Sequence, residues 1–213
     1  MLYRNKRHLI ETHIKPTDVV LDVGFSGQGM KEGDEHWPHA LLKQRAAEVY
    51  GLDVELDEKY SGDRHYAQAN AEEFSFPVQF DAIFAGDLIE HLSNPGLFLR
   101  SCRKHLKQGG SLILTTPSTF NLFNMAEKLT KREPSVNPDH TCYFNSKTLR
   151  KLLRKNGMNA TEVSFLYTLG YSHKESWKKK FLNSVYWLLS FFTDKFIETL
   201  VVVAVPDEQS LAK

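Results

Sequence analysis

Residues 19 to 29 read VVLDVGFSGQG, a short apolar run through Asp22 that breaks at once into a loop carrying Gly24, Gly27 and Gly29. An apolar run of this length bounded by glycine reads as a buried strand. A strand that stops at a glycine-rich turn brings main chain close to a ligand where any side chain would collide. A second apolar run, VYGLD, ends in Asp53, and a carboxylate at a second strand tip is suited to gripping both hydroxyls of a ribose. Together the two tips point to a cofactor that contains adenosine.

The remaining chain alternates helix and strand. The pattern predicts a helical lead-in over 2–13, a strand over 19–23, and a helix over 38–48 with Pro38 in its first turn. Strands are expected over 49–53, 65–69, 80–85 and 111–115, with a helix over 96–106 closed by Gly109 and Gly110. A helix over 146–156 ending at Gly157 is followed by strands over 161–167 and 198–205. Such alternation argues for a mainly parallel sheet covered by helices on both faces, with ligands outside the carboxyl ends of its strands.

Composition narrows the class only a little. The 213 residues, 41% of them hydrophobic, fit a single α/β domain spanning 1–213. With 27 Lys and Arg against 26 Asp and Glu, the chain has no global basic field to draw nucleic acid, and none is expected as a partner. Two cysteines, Cys102 and Cys142, make no disulfide framework. The opening MLYRNKRHLIETHIK lacks the apolar stretch of a signal peptide, so a cytoplasmic location is expected.

At this point the chain resembles a family, the class I methyltransferases that use S-adenosylmethionine. The resemblance runs over roughly 17–167 and, more loosely, the final strand. It is carried by VVLDVGFSGQG, GLD at 51–53, QANAEEF at 68–74, FDAIFAGDLIEHL at 80–92, HLKQGGSLILTTP at 105–117 and DHTCYFNSKTLRKLLRKNGM at 139–158. Each piece is weak alone; their order and spacing make the match specific. The resemblance implies a Rossmann-like three-layer sandwich whose seven-stranded, mainly parallel sheet ends in an antiparallel strand.

It also implies roles at the cofactor. Gly24 and Gly27 would offer main chain to its methionine and ribose part, and Asp22 would anchor the loop or the ammonium. Asp53 would take the ribose hydroxyls, Asn70 and Ala71 would meet adenine, and Gly86 and Asp87 would lie by the sulfonium, whose positive charge a carboxylate favours. The sequence departs from the family's form at Ser26, which stands where the second glycine of GxGxG usually does, and at MKEGDEHW, which delays the next helix until Pro38.

Transfer of a methyl group from a sulfonium is an in-line displacement that asks for alignment and exclusion of water. An oxygen acceptor also needs a proton sink, for which histidine is suited near neutral pH. His140 and then His91 are the candidates, each inside a family motif. Asp87, Glu90 and His91 in DLIEH resemble the ExxEH element of methyltransferases that use a divalent metal, with His140 able to close the set. Because EH occurs in many family members without evident metal, no resident metal is expected.

The stretch at 171–196 sets Lys174, Lys178, Lys179 and Lys180 beside Phe181, Trp187, Leu188, Phe191 and Phe192. Its apolar part is too short to span a bilayer. A helical insert packed on the domain is expected, with peripheral membrane contact or a lid over a greasy acceptor as the alternatives. The acceptor itself is expected to be a small molecule, a sugar or a lipid-linked glycan, by analogy of DH...F and HWPHALL with glycan and secondary-metabolite enzymes. A nicotinamide-dependent oxidoreductase would share the glycine loop and Asp53 but leaves NAEEF and GDLIEHL unexplained. A non-catalytic cofactor-binding subunit is the other alternative.

Overall fold

The computed structural model describes residues 2–26, 34, 36–134, 137–167 and 197–207. Strands β1 (Leu2–Tyr3), β2 (Val19–Val23), β3 (Glu48–Asp53), β4 (Tyr66–Gln68), β5 (Phe80–Gly86), β6 (Leu106–Pro117), β7 (Met158–Leu166) and β8 (Thr199–Pro206) form one sheet in the order β1-β7-β8-β6-β5-β2-β3-β4. Every neighbouring pair is parallel except those made by β8, which runs antiparallel to both β6 and β7. The antiparallel last strand is as expected.

Among the described residues there is one strand more than the seven expected. Leu2 and Tyr3 pair with Phe165 and Leu166 at the sheet edge, so the lead-in starts extended. Tyr3 is fully buried there. Helix α1 (Lys6–His13) begins only after Asn5, whose side chain accepts from the His8 amide.

Helices α1 and α2 (Pro38–Arg45) cover one face, where Leu9, Ile10, Leu41 and Leu42 pack on Val20, Ala82, Phe84 and Ile113. Helices α3 (Pro95–His105) and α5 (Ser146–Lys155) cover the other, with Phe98, Leu99, Leu149 and Leu153 against Leu21, Ile83, Leu112 and Val202. The three layers follow from strands that are apolar on both sides, as a parallel sheet between helices requires. Pro38 and Pro95 sit in the first turns of α2 and α3. Asn145 caps α5 by a reciprocal bond with Thr148.

Gly109 and Gly110 do not close α3. The helix gives way to β6 directly at Leu106, which makes β6 longer than the 111–115 expected. A Cβ at Gly110 would lie 2.9 Å from the Phe80 carbonyl oxygen, so the glycine permits close approach of β5 and β6. Helix α4 (Leu122–Thr130), absent from the sequence reading, follows β6. Gly27, most of the 27–35 stretch and the whole of the expected insert at 171–196 lie outside the described residues.

Candidate functional site

From β2, neighbours lead outward to β3 and β4 on one side and to β5 and β6 on the other. At such a reversal the loops beyond the two central strands part and leave a crevice. A cavity of about 750 Å³ opens there, lined by Lys6, Asp22, Gly24, Phe25, Ser26, Trp37, Asp53, Glu55, Gly86, Asp87, Leu88, His91, Asn137 and Asp139, among others. Five carboxylates and one lysine give it an acidic wall.

Gly24 turns the chain at the end of β2 with φ +78°, and a Cβ there would meet Leu88 at 3.3 Å. The next residues fold back over β3, where the Ser26 amide donates to Asp53 Oδ2 at 2.9 Å and the Glu55 amide to Oδ1 at 3.3 Å. Asp53 thus ties the glycine loop to the β3 tip while facing the cavity.

Asp22 is buried at the cavity floor, and its Oδ2 lies 3.0 Å from His39 Nδ1. Burial pushes the Asp22 carboxyl up, against the His39 hydrogen bond and charge, which favour ionisation. On the far side of the imidazole, Nε2 lies 3.0 Å from the Tyr66 hydroxyl. Trp37 Nε1 donates to the Phe25 carbonyl at 2.7 Å, so α2 and the residue before it clamp the loop.

Across the cavity, Asp87 takes a left-handed backbone with φ +52°, unusual for a residue with a side chain. Its amide donates to the Thr115 carbonyl, and its carboxylate accepts from Thr115 Oγ1 at 3.0 Å and Lys6 Nζ at 2.9 Å. Asp87 is therefore engaged by Thr115 and Lys6, and it is not one of the residues whose ligand atoms gather with those of Glu90 and His91. Those two occupy a 3₁₀ turn (Ile89–His91).

His140 instead completes a group of three. Its ring meets His91 edge-on with centroids 4.6 Å apart, and ligand atoms of Glu90, His91 and His140 lie within 4.8 Å of one another. The Glu90 main-chain carbonyl accepts from the Thr141 and Cys142 amides, which pins the 139–144 loop here. Glu90 itself is 2% exposed; Oε2 accepts from Thr116 Oγ1, while Oε1, like His91 Nε2, is buried with no hydrogen-bond partner among the described residues. Burial, and after it the charge of Asp87, pushes the Glu90 carboxyl up to about 7. Burial first and then His91 hold His140 below the ordinary histidine value.

A family model described as a methyltransferase domain matches residues 3–163. The chain belongs to this methyltransferase family. The ubiquinone biosynthesis O-methyltransferases of Azoarcus sp. (strain BH72) and Aliivibrio fischeri (strain MJ11) are 28% and 26% identical to it over 163 and 164 residues. These alignments cover 68% and 70% of this chain and 66% and 67% of those proteins, so the match spans about two thirds of their length. Among solved structures, a methyltransferase dependent on S-adenosylmethionine from Archaeoglobus fulgidus superposes with a TM-score of 0.60 at 17% identity, covering 93% of each chain. A Burkholderia thailandensis N1-methyltransferase, solved with S-adenosylhomocysteine, gives 0.57 at 15% identity over 95% of this chain and 77% of that one. The sheet and its two helical layers are the fold of these methyltransferases.

Within that fold, six of the residues singled out in the sequence, Asp22, Gly24, Asp53, Gly86, Asp87 and His91, line one cavity. His140 packs edge-on against His91 and follows Asp139, which also lines the cavity. Asn70 and Ala71 do not line the cavity: the Asn70 side chain accepts from the Glu72 amide to close a turn, and Ala71 packs in the core. Sequence reasoning missed Lys6, Trp37, His39 and Tyr66. The HWPHALL motif held the only signal for Trp37 and His39; nothing local marks Lys6 or Tyr66.

No helix among the described residues is long and apolar enough to cross a membrane.

Proposed function

We propose that the chain transfers a methyl group from S-adenosylmethionine to a hydroxyl oxygen of a small-molecule, sugar or lipid-linked glycan acceptor. The cavity suits that cofactor: its volume is that of a nucleotide-sized site, Gly24 admits main-chain approach, and Asp22, Asp53 and Asp87 present carboxylates to a cationic ligand bearing a ribose diol. When bound, the cofactor supplies an electrophilic methyl on a sulfonium. The chain's own task is to hold the acceptor in line, keep water out and take its proton.

The observation that carries the reading is the His91–His140 pair, edge-on at 4.6 Å with His91 in the cavity wall. An imidazole at that place accepts the hydroxyl proton as the oxygen gains its methyl. His91 packs edge-on against it and fixes its approach. The two ubiquinone biosynthesis relatives are named as O-methyltransferases, which supports the same acceptor atom. Labelled methyl transfer against a panel of hydroxyl acceptors tests this. His140→Ala is expected to lower kcat about 10²–10⁴-fold with S-adenosylhomocysteine affinity intact; full activity in that variant would sink the assignment.

A second reading attaches to the same residues. Glu90 Oε1 and His91 Nε2 have no hydrogen-bond partner among the described residues, and with His140 they fit a divalent cation of the type that takes oxygen and nitrogen ligands. Such an ion would lower the acceptor hydroxyl's pKa and orient it. Loss of turnover in chelator-treated, metal-free protein, restored by Mg²⁺, Mn²⁺ or Zn²⁺, is the expected outcome on this reading. Undiminished activity in metal-free protein returns the role to His140 as a base.

A further inference from the structure

His39 is buried beside the cavity without lining it. It is 1% exposed, both ring nitrogens are engaged, and it packs at a tilt on Phe25 and Trp37, with centroids 4.8 Å and 5.2 Å away. A buried aliphatic side chain would fill this place in α2 at lower cost, since a polar ring without both its bonds is expensive to bury. The ring instead links Tyr66, on β4, to Asp22, at the end of β2. Because a carboxylate oxygen can only accept, His39 Nδ1–H donates to Asp22 Oδ2, while Nε2 lies within hydrogen-bond distance of the Tyr66 hydroxyl at the other end.

The neighbouring sequence makes room for this link. A Cβ on Gly51 would lie 2.7 Å from both Phe25 Cδ1 and Tyr66 Cδ1, so the glycine in VYGLD exists to seat these two rings beside His39. Tyr60 stacks on the Tyr66 ring with centroids 4.3 Å apart. Asp22 alone among the three lines the cavity. The arrangement therefore delivers one thing to the cavity: a carboxylate fixed in place.

We infer that His39 is a positioning residue, which with Tyr66 holds the Asp22 carboxylate aimed at the ammonium of the cofactor's amino-acid end and so selects ligands that carry that end. This rests on the reading of the cavity as a site for S-adenosylmethionine. A carboxylate buried beside apolar rings is favoured by a cation in place of the water it has lost. Charge-assisted hydrogen bonds from a fixed donor keep it from rotating away.

Two ligands separate this role from a merely structural one. S-adenosylhomocysteine and 5′-methylthioadenosine share the adenosine and the thioether, and only the first has the amino-acid end. Calorimetric titration of the full chain is expected to show His39→Leu weakening S-adenosylhomocysteine tenfold or more and methylthioadenosine less than twofold. Asp22→Asn shows the same selectivity, and the double variant adds nothing further, because both changes remove one interaction. His39→Asn, whose amide can still donate to Asp22, restores much of the loss. If His39→Leu does not fold, Tyr66→Phe is read in the same way, with a smaller selective loss expected. Equal weakening of both ligands, or of neither, overturns the inference while leaving the cofactor reading intact. Failure of the unaltered protein to bind either ligand would remove the cofactor reading as well.

Discussion

At the scale of single residues, polar side chains gather at the cavity and again at the sheet edge, where the Tyr3 hydroxyl lies 2.6 Å from His13 Nε2 and donates to Glu162 Oε1 at 2.7 Å. Burial holds His13 below its ordinary value, with Glu162 opposing more weakly. A histidine whose folded pKa is depressed binds fewer protons folded than unfolded, so its contribution is full above about 6.5 and is lost as pH falls through the folded value. Stability, followed by thermal melts, is expected to decline as pH drops below about 6.5, and His13→Gln should flatten that decline. An unchanged slope in the variant would assign the decline elsewhere. Residues of this kind are also the least legible from sequence: Lys6 meets Asp87 across 81 positions and His39 meets Tyr66 across 27, and no local pattern couples such pairs. Gly24 and Asp53 were legible because their roles are set by the strand tips on which they stand.

At the scale of elements, the apolar runs told the strands well, because a strand covered on both faces must be apolar throughout. They told the ends less well. The lead-in reads as helical by its spacing, yet tertiary pairing with Phe165 and Leu166 draws Leu2 and Tyr3 into the sheet. The glycines at 109 and 110 looked like a helix stop and serve a close strand approach instead, a distinction that needs the neighbouring strand to be in view. Gly51 shows the same lesson from the other side: in sequence it weakens a strand, and in the fold it seats Phe25 and Tyr66. Gly51→Ala is expected to cost about 1–3 kcal/mol by overpacking, seen as a melting temperature several degrees lower. Because those rings flank the glycine loop, S-adenosylhomocysteine affinity should fall with it. A variant as stable as the parent would mean that the rings shift freely.

At the scale of the whole molecule, the layers and the sheet order put one acidic cavity at the reversal point beside β2, and the family match rests on the same stretch of chain. The nicotinamide alternative shares the glycine loop and Asp53 but gives no part to Asp87, Lys6 or the His91–His140 pair. A ligand that binds only the folded state stabilises it by RT ln(1 + [L]/Kd), about 2.7 kcal/mol at a hundredfold excess over Kd. Calorimetric titration of the purified full chain with S-adenosylhomocysteine, and separately with NAD, therefore bears most directly on the cavity's identity. Saturable one-to-one binding of S-adenosylhomocysteine that is weakened at least tenfold by Asp53→Ala, with no heat from NAD, is the predicted result; binding of NAD in preference, or S-adenosylhomocysteine binding indifferent to Asp53→Ala, would contradict it.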